Sequence, residues 1–429
     1  IINYFLVMIK GEKIRFDIHN ILYSIYKFNK TLNSKDIQEI IDKHKKKDIS
    51  LLKNVTLNSM RFHLHSSKII KKYIKKKIRD KEKILLISAI TQIVFLDFKQ
   101  YAVINCSVEI AKKLKIYHGL INASLKKISK NKKELKKINI DFNDLPLWFR
   151  NQTKYFTLAQ KKNFLASFKT EPNLHIVFKN PKLLLDFEED LIKTSNVSGF
   201  LLSKKDISKI KSFVDGNWWV QDFSSFFPLH NLPFKGKDKK FLDACAAPGG
   251  KSFQLLSKNL KLTLNDKSST RISMLKSNLN RLNFKTEILN EDFLNFREDL
   301  KYDCIIIDAP CSSVGTIRKN PEIFFKKKMP SFEKLNKIQN SMLSKGSILL
   351  NTNGFILYMV CSFLKNETED VIDNFLIHNK DFQLYKFDLT ERNIEYSKLI
   401  KNNYMITFPD TIKELNIDGY FAAYLKKIR

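Results

Sequence analysis

The sequence predicts an α/β protein in three parts: a helical segment over residues 8–135, a small α/β connecting region over 136–215, and a doubly wound domain over 216–429. Three observations carry this expectation. Through the first third of the chain apolar residues recur three and four apart, the period of an amphipathic helix, with hardly any Gly or Pro to interrupt them. From "DGNWWVQDFSSFFP" (215–228) onward the pattern becomes strand, turn, helix, repeated. Within it "YDCIIIDAP" (302–310) is nearly continuous in apolar residues, as expected of a strand covered on both faces of a parallel sheet.

Taken in order, "IRFDIHNILYSIYKF" (14–28) and "SKDIQEIIDKH" (34–44) read as helices, the second with Ser34 as a candidate N-cap. "INCSVEIAKKL" and "GLINASLKKI" continue the pattern. "ILLISAITQIVFLDF" (84–98) is interrupted by Ser88, Thr91 and Gln92 and is too short to span a bilayer comfortably, so it reads as a core helix and the protein as soluble. Met8 is a candidate start, with the first residues outside the fold. In the connecting region "DLPLWF", "TEPNLHIVFKNP" and "SGFLLSKKD" mix short strands with Pro breaks, and His175 alternates with apolar neighbours as a strand residue rather than a ligand.

In the last part "KKFLDACAAPGGKSFQLLSK" is a strand, a Gly-rich turn and a helix. "LKLTLND" is a strand closing on Asp266, and "TRISMLKSNLNRLNF" a helix with Ile272, Leu275, Leu279 and Leu282 on one stripe. "KTEILNEDF" is a third strand ending near Asp292. Ligands of such a domain gather at the carboxyl ends of its strands.

The formal charge of +32 points to a polyanion, most directly nucleic acid, although an AT-rich coding sequence would inflate Lys in the same way. The lysine runs "KKYIKKKIRDKEK" (71–83) and "SKNKKELKK" (129–137) are solvated helix faces or, taken together, an RNA-facing surface. Five cysteines without a CxxC pair or a His at metal spacing exclude a disulfide framework and a zinc site, and fit a reducing, cytoplasmic setting with no metal.

"DACAAPGGK" (243–251) is neither a dinucleotide GxGxxG nor a phosphate loop. Gly249 and Gly250 still let the backbone approach a ligand at a helix start. Asp266, a strand later, is placed to accept ribose hydroxyls, and Asp292 an adenine amino group. A Gly turn with two strand-end acids suits an adenosine ligand without a pyrophosphate, as in S-adenosylmethionine; a single strand-end Asp often simply caps the next helix. Two further strand-like runs end in thiols: Asp308 closes one, with Cys311 three residues on, and "GFILYMVCSF" (354–363) runs into Cys361.

These residues carry a resemblance. "DACAAPGGKS", "DAPCSSVGTIRKNPE" and "MVCSF" resemble the signature segments of the RNA cytosine-C5 methyltransferases of the NOL1/NOP2/Sun superfamily, most of all the bacterial RsmB/Sun (Fmu) branch. "WVQDFSS" and "TFPDTIKELNIDGYFAAYLKK" continue it, and "ISAITQIVFLDF…YAVINCSVEIAKK…LINASLKKI" resembles that branch's NusB-like domain. The resemblance implies a Rossmann-like class I S-adenosylmethionine-dependent methyltransferase domain preceded by an all-α NusB-like RNA-binding domain. It implies methylation of a cytosine of 16S rRNA. By likeness Cys361 is the nucleophile that adds to C6 of the base, Cys311 assists release, and Asp308 holds the base edge beside the cofactor. The cofactor is implied to lie against Cys245, Ala246, Ala247, Pro248, Gly249, Gly250 and Lys251, with Asp266, Asp292 and Asp308. Val360 stands where the family usually has Thr, and Lys319 where it often has Arg. A thiol in a strand-end pocket needs an unstacked base, so single-stranded or loop RNA is expected. The competing expectations are the same chemistry on tRNA and a non-catalytic RNA-binding factor.

Overall fold

The computed structural model describes residues 10–168, 170, 172–202, 206–233, 236, 238–387, 396–409, 411–412 and 415–429; Met8 lies outside them. The chain folds as two compact units. One takes in the chain up to Thr170 together with Ile317–Met329, the other Glu171–Thr316 with Pro330–Arg429.

The first unit is helical. Its opening helix, Lys10–Phe28, buries Ile14, Ile18, Ile21, Leu22 and Ile25, the spacing that puts one stripe against a core. Helices Lys46–Arg61, Asp80–Ile90 and Gln100–Lys113 pack against it, and His118–Lys130 packs against the last two of these. The apolar run at 84–98 is buried as far as Val94, as the helix Asp80–Ile90 followed by a wider turn over Thr91–Phe95. Ser34 does stand at the head of helix Lys35–Asp42, but its hydroxyl accepts from the Thr31 amide at 3.0 Å and caps nothing, because the preceding turn offers a donor first. The segment 317–329 is held into this unit at three points. Arg61 Nη2 donates to Arg318 O at 3.0 Å, Lys327 N donates to Tyr26 O at 3.1 Å, and Phe325 is buried in the helical core.

The second unit begins with a small antiparallel sheet of β1 (Leu174–Phe178), β2 (Leu191–Ser195), β3 (Ser198–Leu201) and β4 (Trp218–Val220), in the order β2-β3-β1-β4. His175 on β1 is a satisfied core residue: its ring nitrogens lie 2.6 Å from Gln221 O and 2.9 Å from Thr194 Oγ1.

The large sheet comprises β5 (Lys240–Asp243), β6 (Lys261–Asn265), β7 (Glu287–Leu289), β8 (Tyr302–Asp308), β9 (Leu350–Val360), β10 (Phe382–Tyr385), β11 (Ile400–Lys401), β12 (Tyr404–Thr407) and β13 (Tyr420–Lys427). Its order is β11-β12-β13-β9-β8-β5-β6-β7, with β10 on β13. Strands β5 to β9 are parallel, and the order reverses at β5, which lies between β6 and β8. That is the switch point where open α/β sheets bind ligands. β8 is the dry centre, with Cys304, Ile305, Ile306 and Ile307 all fully buried. β13 runs antiparallel to β9 with Phe421 opposite Val360, so it starts where β9 ends and delivers Tyr420 to the same edge. β7 is shorter than the sequence suggested. It stops at Leu289, and Asp292 instead heads a short turn, its Oδ1 accepting from the Leu294 amide at 3.1 Å.

Candidate active site

The turn after β5 is built from within. Asp243 is fully buried, accepts from Ser252 Oγ at 2.7 Å, and burial pushes its carboxyl up to about 6. Gly249 sits at φ +116°, and a Cβ there would fall 2.0 Å from Phe253 and 2.8 Å from Leu275. Only glycine turns the chain into helix Gly250–Leu256 at this point. Ala246 and Ala247 are buried beneath the turn. Arg271, from helix Ser269–Arg281, donates to Ala247 O, and Asn278 donates to Pro248 O at 3.2 Å, so the loop is held from its far side.

Beside this turn lies a cavity of about 290 Å³ whose wall includes Cys245, Asp266, Arg271, Asp292 and Pro310. Asp266 is 2% exposed. Its Oδ1 accepts from the Ser268 amide at 3.0 Å. Its Oδ2 lies 3.1 Å from Arg271 Nη1 yet accepts no well-formed hydrogen bond among the described residues. A buried carboxylate oxygen just past the end of a parallel strand, with an ion-pair neighbour but no hydrogen bond among the described residues, has capacity to accept one. Asp292, more exposed, contributes to the same wall. Cys245 is no nucleophile: burial first, then the Asp308, Asp243 and Asp266 carboxylates, push its thiol up to about 12.

At the ends of β8 and β9 the two remaining thiols of interest meet. Cys311 Sγ and Cys361 Sγ are 3.4 Å apart. The contact is unequal. Cys361 is lowered, chiefly because the Cys311 thiol donates to it, with Ser313 and the Lys251 ammonium adding to the effect against burial and Asp308. Cys311 is raised well above the usual thiol range, by that same contact, by burial and by the Cys361 and Glu367 charges. The pair therefore holds its first thiolate on Cys361. Next to it Lys251 Nζ donates to Asp308 Oδ2 at 2.7 Å and Tyr420 donates to Asp308 Oδ1 at 3.2 Å. Burial works against the Lys251 charge, but the Asp308 carboxylate outweighs it and Lys251 remains an ammonium.

The two thiol-bearing loops are tied by one acid. Glu367 is fully buried and accepts from Ser312 N at 2.7 Å, Ser312 Oγ at 2.5 Å and Ser362 Oγ at 2.7 Å. Ser312 follows Cys311 and Ser362 follows Cys361, so a single carboxylate fixes both thiols' backbones. Gly315 completes the clasp. Its amide donates to Cys361 O at 3.1 Å, its carbonyl accepts from Gly419 N at 2.9 Å, and a Cβ on it would strike Gly419 O at 1.8 Å.

The structure thus brings Cys311, Cys361, Asp308 and Lys251 into one cluster, and Cys245, Asp266 and Asp292 around one cavity. Pro310 belongs to the cavity wall and immediately precedes Cys311. Cys304 is buried in β8, whereas Cys106 is only partly covered on its helix, 4.0 Å from Arg15 Nη1. Glu367, Ser312, Ser362, Tyr420 and Arg271 have no sequence signal of their own, since each makes sense only through a partner far along the chain. Among the described residues no helix is long and apolar enough to cross a membrane, and no group of three or more His, Cys, Asp or Glu side chains is placed to hold a metal.

Known proteins agree with this architecture. The family described as 16S rRNA methyltransferase RsmB/F matches residues 232–426, and the NusB family matches residues 13–130. The ribosomal RNA small subunit methyltransferase B of Pasteurella multocida is 26% identical over 424 residues, covering 90% of this chain and 89% of the relative. The crystal structure of PH0851 superposes with a TM-score of 0.72 at 19% identity, over 98% of this chain and all of that one. NSun6 from Pyrococcus horikoshii, solved with SFG, gives a TM-score of 0.56 at 16% identity, over 66% of this chain and 98% of that one. Residues 232–426 thus match the RsmB/F family of S-adenosylmethionine-dependent rRNA methyltransferases on a Rossmann-like fold, and residues 13–130, ahead of them, match the NusB family.

Proposed function

We propose that this chain methylates C5 of a cytosine in small-subunit (16S) rRNA through a covalent bond between Cys361 and C6 of the base. The observation that carries the reading is the thiol pair, 3.4 Å apart, with the charge biased onto Cys361. Cytosine C5 is a poor nucleophile. Addition of the Cys361 thiolate to C6 forms the S–C6 bond and moves the C5=C6 electron pair toward C5. S-adenosylmethionine, when bound, would supply an electrophilic methyl carbon to C5, the electron pair of the broken S–CH3 bond staying on its sulfur as a neutral thioether. Once C5 carries the methyl group its proton passes to a base, the C5=C6 bond re-forms, and Cys361 leaves with the S–C6 pair. Cys311, beside the departing sulfur, assists that release.

Around the reacting atoms each residue has one task. Asp308, fixed by Lys251 and Tyr420, accepts from the base edge, and the Lys251 ammonium keeps negative charge tolerable in a buried site. The loop Cys245–Lys251 together with Asp266 and Asp292 holds the cofactor. Its adenosine end is assigned to the 290 Å³ cavity, where the Asp266 oxygen beside Arg271 can accept from a ribose hydroxyl. A base has to leave its stack to meet these thiols, so a single-stranded or loop cytosine is the substrate. The free thiols require reducing surroundings, which the cytoplasm provides.

The test is methyl transfer to 16S rRNA and to tRNA transcripts, mapped by bisulfite sequencing. A single protected cytosine in 16S rRNA is expected. Protection confined to tRNA would overturn the target, and a methyl group elsewhere than C5 would overturn the chemistry.

A further inference from the structure

Within the helical unit lies an open groove of about 810 Å³, far larger than the cofactor cavity. Six lysines line it: Lys71, Lys76, Lys77, Lys83, Lys326 and Lys327. A single acid, Asp144, lines it too, and that carboxylate is already bound to Lys68 at 2.9 Å. Of the six lysines only Lys327 has an ion pair among the described residues, with Asp80 at 3.0 Å. The positive charge is crowded enough to matter. Burial lowers Lys83, and Lys71 and Lys327 lower it further against the pull of Asp80. Burial likewise lowers Lys326. Asp80 and Glu322 offset this only in part, since both lysines remain lowered, and an anion bound among the lysines would favour their charged forms.

The groove also offers rings. Tyr26 and Trp148 are both partly exposed in its wall, and the ammonium groups of Lys83 and Lys327 lie 5.4 and 5.9 Å from the Tyr26 centroid. One wall is rigid because Phe324 packs against Trp148, Phe149 and Phe168, at centroid distances of 5.6, 4.9 and 5.7 Å. A fixed channel of cations beside partly exposed aromatic faces is how proteins take single-stranded nucleic acid, phosphates on the cations and bases on the rings. An acidic protein segment would use the charges but not the rings.

We infer that this groove seats a single-stranded stretch of the RNA substrate, with phosphates on Lys71, Lys76 and Lys77 and bases against Tyr26 and Trp148. The inference rests on the reading that the substrate is RNA, and it adds the place and the residues. Its wall includes Lys326 and Lys327, so the groove uses chain from beyond the opening helices.

The experiment uses the full chain and a fluorescent, unstructured pyrimidine-rich RNA. Lys71, Lys76 and Lys77 are exposed, so the triple variant Lys71→Glu, Lys76→Glu, Lys77→Glu should fold. It is compared with Lys43→Glu, Lys46→Glu, Lys47→Glu, equally exposed and outside the groove. The groove triple should lose at least about tenfold in affinity, and its slope of log K against log salt should be shallower by about 2, as for three lost contacts to a single strand. The control should change less than about threefold. Photocrosslinking with a halogenated uridine should label the peptides holding Tyr26 or Trp148. Equal loss in both triples, or loss in neither while the parent binds RNA, overturns the groove and leaves the RNA reading standing. A parent chain that binds no RNA overturns both. Tighter, groove-dependent binding of a poly-glutamate peptide than of RNA would assign the groove to an acidic protein instead.

Discussion

In the α/β unit Lys251 is half-buried and rests 2.7 Å from Asp308, while in the helical unit Lys71, Lys76 and Lys77 stand exposed with no ion pair among the described residues. The same side chain serves two ends. Near the thiols every charge has a fixed partner: Lys251 and Tyr420 on Asp308, Ser312 and Ser362 on Glu367. Desolvated groups so arranged are held to a single geometry, which chemistry requires. In the groove the charges are numerous and largely unpaired, which suits a flexible polyanion whose phosphates need attraction more than exact placement. The difference predicts that point changes at the sheet edge are severe and local, while point changes on lysines are mild and add up.

The largest effect is expected at Cys361. Cys361→Ser should lower methyl transfer by three or more orders of magnitude, because a serine hydroxyl is hardly ionised near neutral pH and cannot replace the thiolate. A loss of only severalfold would show that the attack comes from elsewhere. Glu367→Ala comes next, and is felt first in stability. It leaves the Ser312 amide and two hydroxyls without their buried acceptor, costing on the order of 3 kcal/mol, at about 1–3 kcal/mol for each group stranded. Urea unfolding followed at the second unit's tryptophans measures it. Glu367→Gln, which keeps an acceptor oxygen, should lose less, and a neutral Glu367→Ala would mean the loops do not depend on this clasp.

Asp266→Ala should weaken S-adenosylmethionine by roughly 1.5–3 kcal/mol in calorimetry, the usual worth of a hydrogen bond to a charged group. Unchanged affinity would remove Asp266 from the cofactor site. The smallest effect concerns pH. Cys361 is lowered mainly by the Cys311 donor, so its thiolate should form at a lower pH than an ordinary thiol's, and alkylation of Cys361 should rise with pH and reach half its maximum below pH 9. Cys311 is raised and should lag well behind. Cys311→Ala removes the donor, so the Cys361 midpoint should move upward. Mass spectrometry of iodoacetamide-treated protein reads both, and a midpoint unmoved by Cys311→Ala would uncouple the thiols.

How much of this was legible in the sequence follows from where the information lies. β8 was legible because a strand buried on both faces has to be an apolar run, and "CIIID" ends where the run meets a charge. Asp266 was legible as the acid that follows the apolar run of β6, although the strand itself stops one residue earlier, at Asn265. Asp292 was placed on a strand because "EILNEDF" keeps a polar tail that continues the extended pattern, but β7 releases its partner at Leu289 and the acid caps a turn instead. Glu367 was not legible at all. In "LKNETED" it looks like one more surface acid, and only the crossing of two loops some 50 residues apart makes it a buried acceptor. The packing of Ile317–Met329 with the helices was hidden for a similar reason: the segment is too short to show a period, and its anchors are backbone groups and single rings.

The central claim is that the two strand-end thiols do different jobs, and the adduct tests it most directly. Full-length Cys311→Ser and Cys361→Ser proteins, and the double variant, are incubated with 16S rRNA and S-adenosylmethionine and resolved by denaturing electrophoresis. Cys311→Ser should accumulate a protein–RNA species that survives denaturation, because attack and methylation proceed while release stalls; Cys361→Ser and the double variant should form none. An adduct that persists in Cys361→Ser and disappears in Cys311→Ser would reverse the two roles and contradict the account.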